Sequence, residues 1–593
     1  MKSSYQTILL LALLFLSVPV ANAQHTLWVS PRGSGNFSGT DSLNACAGLQ
    51  TTVQWIRNQS GFSGNETVTL NILPGTYRMR DDSTVSYNGW ELPYLIFRGI
   101  GAEKPLITGM CPDPIEGWVN IGGSIWEAPW DHDFGYYQHP DSYICGDDGF
   151  EGWMGCLLEK WVPNPDSGQY RDAHTLIRRE HLFQGEQRLR QLGNHGLVPY
   201  VANSFAVPME STGTIRVRTA LNPNEHPIYY SECQYLFRAH HVRGVELHNL
   251  EFAYGSSFIK NGMVDIALVE KVHISDCMFR NGNSYGLSVR KTPARPMNPD
   301  DPDSWTIDYS KRPPYNLIEN VRAHDNGIYG ILIAHALGIE LRDAFVDSNN
   351  WRGFEAGTVG YDAGGLKFFR CRHIRVIDYE GVWNYGHGLW FDKDGRDIEL
   401  ENIRCQFNYF RGVFMERCFG PVHLNRVFLS HNNLPVDDPQ IARFRPSELS
   451  FSAVDSLVME NSTVFGILDY PVLILTLDYF MEDGVMEPYA DTTYFYMTSH
   501  DYKNVLFNKP DTTLTTWFTF GAAPRLSRCY YFYHANFEEC TFKVLNVEVP
   551  KYWFIAEGNR NCWPIWDDFE YDLPKFYNSP WLEPEDPDPP SGP

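Results

Sequence analysis

A chain of 593 residues with 43% apolar and 20% charged content is too long for one ordinary globular domain and too apolar for wholesale disorder. Several domains, or one elongated repeat architecture, remain. Lys and Arg number 48 against 72 Asp and Glu, and the resulting net charge of −24 argues against a nucleic-acid partner, whose phosphates are held by basic side chains. The 17 Trp, 33 Tyr and 36 Phe suit either the filling of β-rich cores or stacking on flat apolar ligands such as sugar rings.

In chain order, Lys2 precedes an apolar run from Ile8 to Val20, and Ala21-Asn22-Ala23 before Gln24 has the small-x-small form of a signal-peptidase site. Residues 1–23 are therefore expected to be a signal peptide, and the protein to be secreted, periplasmic or extracellular. No later stretch reaches the ~18 uninterrupted apolar residues of a membrane span. Twelve Cys without a C-x-x-C pair form no zinc-ribbon pattern. An oxidising compartment permits disulfides, for example Cys145 with Cys156, but the sequence leaves the pairing open.

Residues 24–110 read as short strands, "HTLWVSPRGSG", "TVTLNILPGTYRMRDD" and "ELPYLIFRGIGAEKPLITG", with Pro74-Gly75 as a turn. This opening resembles the first coils of pectate-lyase-like right-handed parallel β-helices. From 111 to 235 the texture becomes rich in Trp, Pro and Asp ("GGSIWEAPW", "HLFQGEQRLRQ", "GTIRVRTALNPNEHPIYYSE"), as expected of an inserted antiparallel β subdomain.

Residues 236–465 carry two interleaved templates. One is apolar-x-apolar-x-Asn/Asp/Arg, seen in "VELHNLEF", "VHISDCMF", "IELRDAFV", "IELENIRC" and "VHLNRVFL"; its alternation marks a strand and its Asn or Asp tolerates a bend. The other is Gly followed by alternating residues: "GLSVR", "GILIA", "GGLKFF", "GLWFD" and "GVFME". Gly365 to Gly388 is 23 residues and Gly388 to Gly412 is 24, and short strands at this period indicate a parallel β-solenoid. The segment 291–316 is a Pro- and Asp-rich loop long enough to form a wall or lid. Residues 466–580 are expected to supply the last coils and a cap, and 581–593 a disordered acidic, Pro-rich tail.

Side chains of a strand alternate between faces, so in "GLWFD" Leu389 and Phe391 are expected inward, Trp390 and Asp392 outward. In the next coil Val413 and Met415 point inward, Phe414 and Glu416 outward. Asp392 and Glu416 thus share one slot of consecutive coils, ~4.8 Å apart if the strands are parallel neighbours. That is near the ~5–5.5 Å of a retaining glycosidase pair and short of the ~6.5–9.5 Å of an inverting one. Two such carboxylates cannot both ionise cheaply, so one is expected to hold its proton and the other to stay charged.

Lys367, one coil earlier, is placed to hold a substrate hydroxyl or to keep a nucleophile ionised. Stacked acids on a solenoid face are commonly just solvated, but Trp390 and Phe414, expected to be exposed beside these two, give the face an apolar character that solvated coils lack. His387 and Glu355 are weaker candidates for substrate contact. "DKDGRD" lacks the order and distal Glu of a calcium loop, and Asp300, Asp301 and Asp303 read as solvated acids, so no metal is expected.

The run "AGGLKFF…NYGHGLWFDKD…RGVFMERCFGPVHL", from Ala363 to Leu424, resembles exported right-handed β-helix enzymes that include the β-xylosidases of glycoside hydrolase family 120. The resemblance implies that Asp392, in the G-(I/L)-W-(L/F)-D segment, is the nucleophile and that Glu416, ahead of Gly420-Pro421, is the acid/base. It also implies a β-helix interrupted near its start by an antiparallel unit, an oligosaccharide or polysaccharide substrate, and no cofactor. Lys393 stands where those enzymes tend to carry an aromatic residue, and "ERC" replaces a small polar run, so a different sugar is expected.

A secreted, retaining exo-glycosidase of the β-xylosidase kind is thus the leading expectation for function. A β-helix polysaccharide lyase acting on uronates, using Arg290, Lys291 or Lys367, is the second, and a non-catalytic glycan-binding adhesin the third. The sugar, the anomeric configuration and the oligomeric state are not legible.

Overall fold

The computed structural model describes residues 24–132, 179–293, 316–352, 363–432 and 447–466 apart from short gaps, with single residues and short strands elsewhere as far as 566. Segment 1–23, Cys145, Cys156, Asp300, Asp301, Asp303, Glu355 and the tail 581–593 lie outside the described residues.

The chain folds as a right-handed parallel β-helix. Among the described residues the strands join in one sheet of 29, and almost every pairing is parallel to the strand one coil earlier or later. One ladder aligns Val264, Leu287, Ile331, Leu366, Leu389, Val413 and Leu449. Two residues on, Ile266, Val289, Ile333, Phe368, Phe391, Met415 and Phe451 form another, and all of these side chains are buried in a single core. Identical positions stack like on like: Phe368 and Phe391 lie 4.9 Å apart with planes 4° from parallel. The inward assignment of Leu389, Phe391, Val413 and Met415 therefore holds.

The bends are made by residues in the left-handed conformation. Strand His387–Gln406 turns at Lys393, Asp397 and Asn402, with φ of 53°, 51° and 55°. The Asn or Asp of the repeated template is the bending residue at Asn249, Asp276, Asp343 and Asn402, as short polar side chains tolerate this region. In the last repeat Arg426, not Asn425, takes the position.

The recurring Gly has a different cause. Gly286, Gly330, Gly365, Gly388 and Gly412 stack, and a Cβ on each would lie 2.6–2.9 Å from the amide of Asn326, Asn349, Asn384, Asn408 or Asn432, respectively. Those five Asn form a buried ladder. The Oδ1 of Asn408 accepts from the Asn384 backbone N–H and side-chain amide, both at 3.0 Å, and its Nδ2 donates to the Gly381 carbonyl and to Asn432 Oδ1 at 2.8 Å. Glu448 closes the ladder, accepting from the Asn432 N–H at 3.1 Å. Asn408→Ala orphans several buried polar groups at once, and is expected to cost about 2–4 kcal/mol in denaturant unfolding.

One feature departs from the sequence reading, and one bears on a point it left open. An α-helix, Leu49–Asn58, was not anticipated; Leu49, Thr52, Val53 and Ile56 recur at helical spacing and join the core of the first coils. The cysteines Cys46, Cys111, Cys233, Cys277, Cys371, Cys405, Cys418 and Cys540 are free, so among the described residues no disulfide staples the coils. Stacked strands and a continuous core replace cross-links here.

Between strands Leu106–Thr108 and Phe237–His248 the chain leaves the helix and forms separate sheets of two, three and five strands. Their pairings are antiparallel except for Arg190–Gln191 with Ser204–Ala206, and Trp118, Trp130, Phe205 and Val217 centre an independent core. The unit leans on the β-helix through buried polar contacts. Arg188 donates to Asn281 Oδ1 and the Asp325 carbonyl at 3.3 Å and lies 4.0 Å over the Trp351 ring, while Arg352 donates to Gln191 Oε1 at 3.1 Å.

On another outer face, Glu246 Oε2 meets His248 Nε2 at 2.8 Å and Glu246 Oε1 accepts from the Tyr94 hydroxyl at 2.9 Å, with Lys271 Nζ at 3.5 Å. Glu246, His248 and His273 bring ligand-type atoms within 4.8 Å, but hydrogen bonds and a lysine already satisfy the carboxylate, so the cluster reads as an ion-pair ladder. The His248 hydrogen bond leads the causes that hold the Glu246 carboxyl down at about 2, from 4.5. A depressed carboxyl contributes stability above its unfolded pKa and loses it as pH falls toward the folded value. Acid titration from pH 5 to 2 is therefore expected to remove roughly 2–3 kcal/mol that Glu246→Gln does not lose. Thermal melts across that window check it.

Candidate active site

Strand Gly364–Phe369, strand His387–Gln406 and strand Val413–Ser430 lie side by side, so that Lys367, Trp390 and Phe414 fall in one register column and Phe369, Asp392 and Glu416 in the next. Asp392 and Glu416 are direct partners across the parallel pair, on backbones ~4.8 Å apart as in any neighbouring strands. Just beyond, the pairing shifts register between Asp392 and Gly395, where the chain turns the corner.

Each carboxylate has a cation. Lys367 Nζ lies 2.9 Å from Asp392 Oδ2, both side chains being under a tenth exposed, and Arg417 Nη2 lies 3.2 Å from Glu416 Oε1. Burying a charge is tolerable only when it is so compensated. Burial nevertheless dominates at Glu416: together with the Asp392 charge it pushes the carboxyl up to about 7, against the opposing pull of Arg417, Lys367 and Arg411. The second oxygen of Asp392, Oδ1, is buried and has no hydrogen-bond partner among the described residues, and neither has Trp390 Nε1. Buried polar atoms rarely stay unsatisfied, so a bound ligand or a water would complete both.

The expectation that Trp390 and Phe414 are exposed is corrected. They are 5% and 4% exposed and belong to a second apolar cluster outside the main core, with Tyr285, Ile328, Tyr329 and Ala363. The cause is the same stacking that builds the interior. Phe414 lies 5.5 Å from Trp390 with planes 23° apart, Lys367 Nζ sits 3.5 Å from the Trp390 ring centroid from the preceding coil, and Arg411 covers Phe414 at 4.2 Å. With Lys367 on one side and Phe414 on the other, Trp390 has no free face for a sugar. It stacks under the lysine instead.

His387 is buried among Trp390, Phe410 and Phe414, with ring centroids 5.0, 5.5 and 5.2 Å away. Burial, then the charges of Arg411 and Lys367, hold its pKa well below 6.5, so the imidazole is neutral. Lys367, His387, Trp390, Asp392, Phe414 and Glu416 are thus brought together. Glu355 lies outside the described residues. Sequence reasoning missed Arg417 and Arg411, although the Arg of "ERC", the residue directly after Glu416, carried the signal for the first.

Lys367→Met removes the partner of a buried carboxylate, and is expected to cost about 3–5 kcal/mol in unfolding experiments while Lys367→Arg recovers part of it.

No protein-family model matches the sequence, and no curated protein matches it. Solved structures do. The chain is similar to XylC, solved in complex with xylose, with a TM-score of 0.54 and 12% identity over 89% of this chain and 87% of that one. It is also similar to a structure described as a glycoside hydrolase, with a TM-score of 0.40 and 11% identity over 88% of this chain and 97% of the other. At such identity the likeness to XylC establishes the shared fold.

Proposed function

We propose that the protein is an exported glycoside hydrolase of the retaining, exo-acting, β-xylosidase-like kind, acting on fragments of plant- or algal-type polysaccharides. The observation that carries this reading is the direct cross-strand pairing of Asp392 with Glu416, one with an ammonium at 2.9 Å and the other with its carboxyl raised to about 7. Neighbouring parallel strands lie ~4.8 Å apart at the backbone, which supports the short carboxylate separation of a double displacement over the wider one of an inverting pair.

Asp392 Oδ1 attacks the anomeric carbon as Glu416 gives its proton to the leaving oxygen. A glycosyl ester on Asp392 results. Glu416, now ionised, takes a proton from the water that attacks the same carbon, and the sugar leaves with its configuration retained. Lys367 holds Oδ2 so that Oδ1 is the free nucleophilic atom. XylC, a protein of the same fold, binds xylose, which favours a pentose as the first sugar to try.

A panel of aryl glycosides, followed by NMR of the first-formed anomer, tests the reaction, sugar and stereochemistry together. Retention with a pentoside supports the reading; inversion removes the nucleophilic role of Asp392. A second reading, β-elimination from a uronate, is favoured by Lys393, whose pKa is lowered by burial and by Arg417 and Arg370 as a proton-abstracting lysine's would be. It predicts an unsaturated, ultraviolet-absorbing product that hydrolysis does not form.

A further inference from the structure

The corner that follows the carboxylate slot stacks basic residues, unlike the Asn- and Asp-rich corner next to it. The residues one step beyond the column Ala267, Arg290, Ala334, Phe369, Asp392 and Glu416 are Leu268, Lys291, His335, Arg370, Lys393 and Arg417, and every one has φ between 51° and 55°. The last five are basic. The neighbouring corner stacks Asn249, Asp276, Asn320, Asp343, Asp378, Asn402, Arg426, Asn461 and Asn504, mostly the short polar residues that the left-handed region favours. Long basic side chains have no such conformational reason to occupy it.

The stack thus places five basic residues in consecutive coils along the edge of the candidate site, on a chain whose net charge is −24. Arg417 is engaged with Glu416, and Arg290, in the carboxylate column, with Asp265 at 2.7 Å. Lys291 is exposed, whereas His335, Arg370 and Lys393 are half-buried. His335 is the neutral member: burial, then the charges of Arg370, Lys291 and Arg290, hold it down at about 4, so the positive charge of the corner lies on its lysines and arginines. Gathering positive charge at a conformationally disfavoured corner is explained if an anion settles against it.

We infer that this basic corner recognises an anionic substituent, a uronate carboxylate or a sulfate ester, on the glycan held at Asp392 and Glu416. The inference deepens the glycosidase reading and rests on it for the bond that is cut, but not for the binding. It gives Lys393, which departs from the aromatic residue expected there, a part in specificity.

The test uses the full chain with three xylo-oligosaccharides of one backbone: glucuronic acid-substituted, its carboxyl-reduced neutral counterpart, and a sulfated form. Calorimetric titration at low and high salt is expected to show the preferred acidic ligand bound about tenfold or more tighter than the neutral one, the margin shrinking with salt. The carboxylate and sulfate arms tell the two anions apart. Arg370→Asn and Lys393→Asn install the residue the neighbouring corner uses, so thermal midpoints should hold or rise while the acidic preference falls; Lys393→Arg should keep it. A merely structural role would show the reverse, lost stability with unchanged preference. Equal binding of all three ligands, or variants that weaken neutral and acidic ligands alike, would overturn the inference even if glycosides are hydrolysed. Absence of hydrolysis with a preserved acidic preference would instead sink the glycosidase reading and leave the anion site standing.

Discussion

Asp392→Asn is expected to lower kcat/KM by about 10⁴-fold or more on any glycoside the wild type cleaves, because an amide cannot form the glycosyl ester. The amide oxygen still accepts from Lys367, which lies 2.9 Å from Oδ2 in the native protein, so folding should be largely kept. Asp392→Ala is the harsher change: it also leaves a lysine that is only 6% exposed without its counter-charge, and about 3–5 kcal/mol of stability should go with it. Comparing the two separates chemistry from folding. Full activity of purified, folded Asp392→Asn would sink the nucleophile assignment.

The second large effect is expected at Glu416. As proton donor it works only while protonated, and with its carboxyl at about 7 the activity should fall as pH rises through that value. Glu416→Gln should remove this alkaline limb and cost about 10²–10⁴-fold on substrates with poor leaving groups. Aryl glycosides with good leaving groups need little protonation, so with them the first step survives and release of the sugar becomes slow. Azide, a nucleophile that needs no general base, should then restore turnover to Glu416→Ala and yield the glycosyl azide of retained configuration. A pH profile indifferent to Glu416→Gln would contradict the role.

Much of the architecture was legible because a β-solenoid repeats one physical problem. Alternation at Leu389 and Phe391, repeated at Val413 and Met415, fixes which side faces the core, and a period of 23 or 24 residues brings the same slot round again. The juxtaposition of Asp392 with Glu416 follows from those two facts alone. The recurring Gly was visible but its reason was not, since the Asn ladder that fills the space is separated from each Gly in sequence and meets it only in the folded coil. The helix Leu49–Asn58 is hard to see in the sequence because its short apolar spacing lies among segments with strand alternation.

Composition, the alternation and the repeat were enough to determine a parallel β-helix, its inserted unit and the slot shared by two acids, because these depend on periodicity along the chain. What only the tertiary structure decided is the environment of that slot. The pairing of Lys367 with Asp392, the burial of Trp390 between Lys367 and Phe414, and the desolvation that raises Glu416 all arise from contacts between coils. So does the basic corner, whose residues become neighbours only when successive coils stack ~4.8 Å apart.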